Sequence, residues 1–314
     1  MFHTLGRHKK LVAATTTTTC SLALAFYYFN ASSSEQQLPP LSSALQPNQS
    51  LQCPLVEKQQ LTHDTARFRF GLPTPHHRLG MPLNATSHIV AHDNAMVSRA
   101  YTPTAERDGS FDLIVKQYPG GELSQMFHRM KIGDMMQFRG PIVTLPYRTH
   151  NRRSVVGMIA GGTGITPMYQ LLQIALKNDE DETKFVLLYA NRSNKDVLLK
   201  DELDSLSKQY PERFRVHYVI EEEIPKTKRR QRESNVSMGK VHKALVEDMF
   251  PASTDAEVAI LVCGPPGMMR FLCGSNSPQQ RQLGGLLGTM GYSHQVFVFT
   301  DLGVKQFLPS SIRK

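Results

Sequence analysis

Cysteine is scarce in this sequence. The 314 residues include only four cysteines, and no two of them form a C-x-x-C pair. Disulfide scaffolds and cysteine-rich zinc sites need several cysteines at close spacing. We therefore expect neither a disulfide framework nor a bound metal.

The composition also lacks the extremes that mark unusual classes of protein. Hydrophobic residues make up 40% of the chain and charged residues 20%. These values exclude a chain that is disordered throughout, a collagen and a multi-span membrane protein. At roughly 150 residues per domain, the length allows two domains and an additional segment. The formal net charge of +9 fits an anionic cofactor or an acidic partner.

Acidic residues are absent before Glu35, and the N-terminal segment has a composition of its own. Residues 1–10 are basic, and Leu11–Phe29 carries no charge. A helix of that length is about 28 Å long, close to the ~30 Å hydrocarbon core of a bilayer. We expect residues 1–50 to be a membrane anchor followed by a linker. A cleaved mitochondrial presequence and a secretory signal peptide are the alternatives.

Residues 51–150 contain short β-type segments separated by turns rich in glycine and proline. Ala66–Phe70, Ser87–Ala91 and Asp112–Lys116 are examples. Several short strands at regular spacing are typical of an antiparallel barrel or sandwich. We predict an antiparallel β-barrel in this half.

After residue 150 the pattern changes to apolar runs that alternate with helical segments. We predict strands at Val155–Ala160, Phe185–Ala190, Phe214–Ile220 and Val258–Cys263, and helices at Pro167–Lys177, Leu199–Gln209 and Val241–Met249. This alternation indicates a doubly wound parallel sheet over residues 151–299. Val296–Phe299 is predicted to be an edge strand, and residues 300–314 a surface tail.

Two motifs in the first half suit a phosphate-bearing aromatic ligand. Arg99-Ala100-Tyr101-Thr102 places a cation beside an aromatic ring and a hydroxyl. Arginine pairs with pyrophosphate, and tyrosine can stack on a flat ring. Gly120-Gly121-Glu122-Leu123-Ser124 predicts a turn that opens a helix over Leu123–Met130, whose first N–H groups can bind phosphate. Taken alone, each motif also fits an ordinary strand end or loop.

Two further motifs follow strands of the second half. Gly161-Gly162-Thr163-Gly164-Ile165-Thr166-Pro167 lies between a predicted strand and a predicted helix, where glycines let the backbone approach a pyrophosphate. Its spacing is not G-x-G-x-x-G. Cys263-Gly264-Pro265-Pro266 follows the last predicted parallel strand, which places it at the ligand-binding edge of the sheet. A buried core cysteine is the alternative for Cys263.

The ordered set of these motifs resembles the ferredoxin-reductase-like flavoproteins. Within them it resembles the NADH-cytochrome b5 reductase family, and most of all its fungal-type mitochondrial branch. The resemblance covers residues 55–299, and Arg139-Gly140-Pro141, Asn194–Leu199 and Gly291-Tyr292-Ser293 support it. It implies an FAD-binding antiparallel domain followed by an NAD-binding α/β domain.

The resemblance also implies which residues bind each cofactor. Thr102 and Cys263 would lie at the reacting atoms, beside the flavin edge and the nicotinamide. Glu221 would select NADH over NADPH, because a carboxylate accepts hydrogen bonds from ribose hydroxyls and repels a 2′-phosphate; a solvated place in the run Glu221–Glu223 is its alternative. The implied FAD-binding residues are Arg99, Ala100, Tyr101, Thr102, Ile114, Lys116, Gly121, Glu122, Leu123, Ser124 and Thr166. The implied NADH-binding residues are Gly161, Gly162, Thr163, Gly164, Pro167, Cys263, Gly264 and Pro265.

The implied activity is hydride transfer from NADH to FAD, followed by one-electron transfer to the haem of cytochrome b5. A reductase for ferredoxin, a quinone or an oxygenase is an alternative, as is an inactive membrane-tethered scaffold. Excess positive charge would steer an acidic haem protein toward the chain. The basic run Lys226–Arg232 is interpreted as a solvated loop and not a nucleic-acid site, since it lacks interleaved aromatic residues.

The resemblance and the N-terminal segment together suggest a location. We expect a monomer in the mitochondrial outer membrane. The intermembrane space is an additional location, the endoplasmic reticulum membrane is the alternative, and the orientation of the chain across the membrane is left open.

Overall fold

The computed structural model describes residues 42–46, 49–93, 97–147, 155–222, 234–255, 257–275, 282–300 and 303–307. The predicted anchor and the basic run Lys226–Arg232 lie outside these residues. Within them, no helix has the length and apolar character needed to cross a bilayer. The chain from Leu41 onward forms one compact unit.

The first half of this unit is built of strands and a helix. The strands are β1 (Ser42–Ser43), β2 (Leu51–Gln60), β3 (Thr65–Gly71), β4 (His77–Arg78), β5 (Ala85–His92), β6 (Ser98–Tyr101), β7 (Ala105–Arg107), β8 (Ser110–Lys116) and β9 (Met135–Pro146), and the helix is α1 (Glu122–Arg129). In β3, Phe68 and Phe70 are buried, whereas Arg67 and Arg69 are partly exposed. Because successive side chains point to opposite faces of a strand, this alternation sends the aromatic rings into the core.

Seven of these strands form one antiparallel sheet in the order β6-β5-β9-β2-β3-β8-β7. β2 takes part in two ladders, pairing with β9 through Leu51–Pro54 and with β3 from Leu55 onward. The predicted antiparallel half is confirmed. Among the described residues, however, no ladder joins β6 to β7, so the sheet is not closed into the expected barrel. Strand spacing along the chain indicates strands and turns, whereas closure depends on non-local pairing of the two outer strands.

A buried carboxylate ties three strands of this sheet together. Asp112 on β8 is 1% exposed, and it accepts hydrogen bonds from Arg69 Nε at 2.7 Å and from Arg107 Nη1 at 2.6 Å. Burial disfavours the ionised form, but the two guanidinium groups outweigh burial and hold the pKa of Asp112 below its usual value. Arg69 lies on β3 and Arg107 on β7, so the carboxylate links both neighbours of β8.

The second half alternates strands with helices. Its strands are β10 (Val155–Gly161), β11 (Lys184–Asn191), β12 (Phe214–Ile220), β13 (Val236–Met238), β14 (Val258–Cys263), β15 (Val296–Thr300) and β16 (Gly303–Gln306). Its helices are α2 (Ile165–Ala175), α3 (Lys200–Gln209), α4 (Lys243–Met249), α5 (Pro266–Cys273) and α6 (Gly285–Thr289), with 3₁₀ turns at Gly162–Gly164 and Asn194–Asp196.

The sheet of this half has the order β13-β12-β11-β10-β14-β15-β16 and is parallel except for β16. The chain runs outward from β10 to β13 on one side and then continues from β14 on the other side. This confirms the predicted doubly wound sheet. In such sheets ligands bind at the carboxyl ends of the strands, beside the point where the strand order reverses. Here that point lies between β10 and β14.

The end of the chain differs from the prediction in two ways. β15 is not an edge strand, because it pairs with β14 on one side and with β16 on the other. β16 belongs to the tail, and Phe307 beyond it is only 4% exposed. The tail therefore extends the sheet instead of lying only on the surface. Gly303–Gln306 has little β character of its own, so its strand conformation comes from pairing with β15.

The two halves are joined along β8 and α2. Ile114 of β8 is buried within the apolar core of the second half. On α2, Gln170 Oε1 accepts a hydrogen bond from the Ser87 backbone N–H at 2.7 Å, and Gln173 Nε2 donates to the Thr104 carbonyl at 3.0 Å. These contacts hold the middle and the end of α2 against the first half.

Candidate active site

The ends of β10 and β14 lie side by side and carry the two glycine-rich motifs of the second half. Ala160 pairs with Cys263 in the parallel ladder, and each strand then enters its turn. A Cβ atom on Gly164 would overlap the Cys263 carbonyl and lie 2.8 Å from the Gly264 nitrogen. Gly162 has a φ of +53° with no heavy atom near its missing side chain. Gly164 permits close packing of the two turns. Gly162 permits a left-handed backbone that faces open space.

A fully buried tyrosine, Tyr189, holds this glycine turn in place through its hydroxyl. The Tyr189 hydroxyl on β11 donates to the Gly162 carbonyl at 3.0 Å and accepts from the Leu198 backbone N–H at 3.2 Å. Burial raises the pKa of Tyr189 well above its usual value. The hydroxyl therefore stays protonated and keeps its donated hydrogen bond.

The turn borders a cavity of about 1110 Å³ that is also lined by the first half. Six of the predicted site residues line it, namely Lys116, Gly161, Gly162, Thr163, Glu221 and Pro265. Its further lining includes Thr62, His63, Asp64, Gln117, Tyr118, Asn191, Arg192, Asp196, Lys240 and Met268. β8 also lies against the Gly162–Gly164 turn. The first half thus contributes mainly polar and charged side chains, and the second half contributes a glycine backbone together with further polar and charged side chains.

Charged groups of both halves meet at one rim of the cavity. Lys116 Nζ contacts Asp64 Oδ2 at 2.7 Å, and the His63 ring lies 3.3 Å from Asp64 and 3.5 Å from Asp196 of the second half. Partial burial works against ionisation of Asp64, but hydrogen bonds led by that from Lys116 lower the pKa of the carboxyl. Lys116 is therefore held at the cavity by an ionised partner.

A buried amide faces the same cavity. Asn191 ends β11, is 8% exposed, and lines the cavity. The amide lies close to the Tyr189 hydroxyl, but neither its nitrogen nor its oxygen makes a hydrogen bond of normal geometry among the described residues. Buried polar groups in native proteins are almost always paired. An unpaired donor and acceptor beside a glycine turn fit a polar ligand such as a nucleotide.

The cavity lining also includes an ion pair beside β12. Glu221 directly follows β12, as predicted for a ribose-binding carboxylate, and its Oε1 lies 2.8 Å from Lys240 Nζ. Sequence reasoning did not find Lys240, because the pair depends on how β12 and β13 align. It also missed Asp64, which directly precedes β3, and Asn191, which ends β11; position beside a strand was the only sequence signal for either residue.

The arginine–tyrosine–threonine motif lies on β6 and just after it, outside the lining of this cavity. The Tyr101 ring packs edge-on against Phe127 of α1, with centroids 5.2 Å apart. This contact brings the motif next to α1, the helix that follows the Gly120-Gly121 turn. The Arg99 guanidinium is exposed and donates to the neighbouring Ser98 carbonyl at 2.7 Å. Ala100 and Thr102 are half-buried.

The turn before α1 is held by its own residues. The Ser124 hydroxyl donates to the Gly121 carbonyl at 2.8 Å and accepts from the Tyr118 N–H at 3.2 Å. Leu123 is buried in the core of the first half, so only its backbone can face a cofactor, whereas Glu122 is exposed. No side chain caps this helix start, which leaves its first N–H groups available to an anion.

The remaining predicted residues lie close to the boundary between the halves. Thr166 and Pro167 are buried in the first turn of α2, and Cys263 is half-buried at the end of β14. By contrast, Cys53 and Cys273 are buried in apolar surroundings, which raises the pKa of each thiol to about 12. They are core residues and carry no reactive thiolate.

Comparison with protein-family models agrees with this division. Residues 52–147 match the oxidoreductase FAD-binding domain, and residues 158–274 match the oxidoreductase NAD-binding domain. NADH-cytochrome b5 reductase 2 of Aspergillus niger is 40% identical over 252 residues, covering 78% of this chain and 76% of the relative. The chain belongs to the NADH-cytochrome b5 reductase family.

Other members and structures of the NADH-cytochrome b5 reductase family align in the same way. Human NADH-cytochrome b5 reductase 1 is 36% identical over 284 residues, covering 82% of this chain and 87% of that protein. The crystal structure of the cytochrome b5 reductase domain of Ulva prolifera nitrate reductase superposes with a TM-score of 0.66 at 31% identity. It covers 82% of this chain and all of that domain. The FAD-binding and NAD-binding domains and the ferredoxin-reductase-like fold are thereby confirmed.

Proposed function

We propose that this protein oxidises NADH through a bound FAD and passes single electrons to cytochrome b5. The observation that carries the proposal is the shared cavity, in which the glycine turn of the second half faces Lys116 and its neighbours on the first half. FAD, when bound, supplies the acceptor for the hydride of NADH and can release electrons one at a time. Cytochrome b5 is the acceptor that the names of the relatives give.

NADH would bind along the second half. The backbone at Gly162 can approach its pyrophosphate, because no heavy atom lies within 4 Å of the place of its missing side chain. The unpaired Asn191 amide can donate to or accept from the nucleotide, and the Glu221 carboxylate can accept from ribose hydroxyls. Cys263, at the end of the strand beside the turn, would lie next to the nicotinamide.

FAD would be held by the first half. Arg99 offers an exposed guanidinium for pyrophosphate, and the uncapped start of α1 offers N–H groups for the same anion. Thr102 precedes Pro103, whose carbonyl accepts a hydrogen bond from Gln170 Nε2 of α2 at 3.4 Å. This contact holds the motif against the second half and supports a place for Thr102 at the boundary between the two cofactors.

The side chains at this site orient ligands and do not need to carry a proton away. Lys116 is fixed by Asp64 at the mouth of the cavity, where a cation favours an anionic nucleotide. The protein's contribution to rate would come from alignment of the two rings and from fixed charges.

Charge and location complete the proposal. The net charge of +9 would steer an acidic haem protein toward the chain. If cytochrome b5 is reduced no faster at low salt than at high salt, the proposal that charge steers it toward the chain is wrong.

We also propose that the N-terminal segment anchors a monomer in the mitochondrial outer membrane. Cell fractionation combined with protease protection would test this placement, and recovery of the full-length chain in a membrane-free fraction would contradict it.

A direct assay tests the activity itself. Purified protein with bound FAD should reduce cytochrome b5 at the expense of NADH, and each NADH consumed should reduce two molecules of cytochrome b5, since a hydride carries two electrons. NADH oxidation that proceeds with ferricyanide but not with cytochrome b5 would favour a reductase for another acceptor.

A further inference from the structure

The part of the cavity beside Glu221 carries a cation, Lys240, whose effect the selectivity argument for Glu221 does not include. We propose that Lys240 helps to set the choice between NADH and NADPH through its ion pair with Glu221. This inference rests on the proposed function, because it concerns one end of the same nucleotide cleft. It predicts that the cleft accepts adenine nucleotides with a 2′-phosphate as well as those without one.

The backbone places the two residues together. β12 and β13 run parallel with Ile220 opposite Met238, and the Gly239 N–H donates to the Ile220 carbonyl at 2.7 Å. Glu221 therefore leaves the sheet directly beside Lys240. Gly239 has a φ of +100°, a conformation that glycine adopts readily and that turns the chain just before Lys240.

The ion pair is close and open to the cavity. Lys240 Nζ lies 2.8 Å from Glu221 Oε1, with the lysine side chain 78% exposed and the glutamate side chain 43% exposed. Both residues line the cavity. Because each side chain keeps access to solvent, the lysine can turn from the carboxylate to a ligand without leaving a buried charge unpaired.

The charge balance at this end changes the expected selectivity. An isolated carboxylate would repel a 2′-phosphate, but a lysine within hydrogen-bond distance offsets that charge. Arg192 directly follows the neighbouring strand β11, is exposed, lines the cavity, and accepts a backbone hydrogen bond from the N–H of Glu222, the residue after Glu221, at 2.8 Å. The described residues thus place two cations and one anion around this end. A 2′-phosphate can pair with Lys240, while Glu221 can still accept from the hydroxyls of NADH.

The test is a double-mutant cycle on the ratio of kcat/KM for NADPH to that for NADH. Lys240→Gln should lower this ratio by about fivefold, the effect of one exposed ion pair. Glu221→Gln should raise it by about fivefold when Lys240 is present, since the lysine is then free to pair with phosphate. In the Lys240→Gln background, Glu221→Gln should raise the ratio much less.

A matched control separates local pairing from overall charge. Lys243 Nζ pairs with Glu247 at 3.5 Å on α4, and neither residue lines the cavity. Lys243→Gln removes the same charge a short distance away and should leave the ratio unchanged. A shift of the ratio by Lys243→Gln equal to that by Lys240→Gln would overturn the proposal.

Calorimetric titration with adenosine 2′,5′-bisphosphate and with AMP gives a readout that needs no electron transfer. Lys240→Gln should weaken binding of the bisphosphate by about fivefold relative to AMP. Equal weakening of the binding of both nucleotides, or no weakening of either, would overturn the role of Lys240. If the wild-type protein binds these nucleotides as expected but does not oxidise NADH, the proposed function fails while the inference on Lys240 stands.

Discussion

The two glycine turns of this protein occupy similar places, between a strand and a helix, but they are held in different ways. The turn at Gly120-Gly121 is held by its own helix, through the Ser124 hydroxyl. The turn at Gly161–Gly164 is held by distant parts of the chain, namely the backbone that follows β14 and the Tyr189 hydroxyl. The first turn is therefore a local structure, and the second exists only when the sheet has assembled.

This difference indicates how each half binds its ligand. The first half uses charged side chains, such as Arg99 and Lys116, on a sheet stabilised by the buried Asp112. The second half also carries charged side chains, such as Glu221 and Lys240, but it adds an exposed glycine backbone that needs close tertiary packing to keep its shape. Substitutions in the second turn should consequently cost more than substitutions in the first.

The largest expected effect comes from Gly164→Ala. The added Cβ would overlap the Cys263 carbonyl, and backbone cannot move aside as a side-chain tip can. We expect a loss of about 3 kcal/mol or more in the free energy of unfolding and a loss of NADH oxidation, measured by thermal unfolding and steady-state assay. Gly120→Ala is the matched control on the other turn, since nothing lies within 4 Å of its missing side chain. Equal stability of the two variants would contradict the claim that tertiary packing holds the second turn and not the first.

Asp112→Asn should have the next largest effect. It removes the anion that Arg69 and Arg107 share, and we expect the free energy of unfolding to fall by about 2–4 kcal/mol. Denaturant unfolding would measure the change. Glu106→Gln is a suitable control, since its contact with Arg78 Nε is longer, at 3.8 Å.

The same carboxylate predicts a pH dependence. The pKa of Asp112 is lowered in the folded protein, so its stabilisation is present above the ordinary pKa of an aspartate and is lost as pH falls through the lowered value. The stability difference between wild type and Asp112→Asn should thus shrink on acidification. A difference that is constant across the acid range would rule out ionisation of Asp112 as its source.

Removal of the residues after Phe299 should have a smaller effect. It deletes β16 and the buried Phe307. We expect the free energy of unfolding to fall by about 2 kcal/mol and the melting temperature to fall with it. NADH oxidation should continue, since the tail pairs with the outer side of β15, away from β14. A marked rise in NADH oxidation on trimming would show that the tail covers the nicotinamide site.

Ser124→Ala should have the smallest effect on stability, about 1 kcal/mol, because it removes one hydroxyl from a turn whose backbone can remain in place. Its effect should appear mainly as weaker FAD retention on dilution, which flavin fluorescence would measure. Ser207→Ala is a control of the same kind, since its hydroxyl bonds a carbonyl far from both turns. Identical FAD retention in the two variants would remove the role of Ser124 in the cofactor site.

Much of the second half could be predicted from hydrophobic pattern. The bounds of β12 and β14 agree with the prediction, since runs of buried apolar residues mark parallel strands. Helix starts were less accurate. Leu199 has a left-handed φ of +55° and precedes α3, while His242 caps α4 by accepting from the Leu245 N–H. These are local backbone choices that apolar periodicity does not report.

Features that depend on tertiary pairing could not be predicted. The open edge of the antiparallel sheet, the strand made by the tail and the Glu221–Lys240 pair all result from contacts between distant segments. The site motifs were visible because glycine and proline restrict or free the backbone locally. The meeting of the two motifs of the second half, at the ends of β10 and β14, follows from the strand order, which the alternation of strands and helices does indicate.

The central claim is that NADH bound in the second half reduces FAD bound in the first. Anaerobic titration of the purified protein with NADH, followed by the visible absorbance of the flavin, tests it most directly. We predict a yellow protein that an equimolar amount of NADH bleaches and that oxidised cytochrome b5 then restores to yellow. A protein that binds FAD and NADH but keeps its colour would contradict the account.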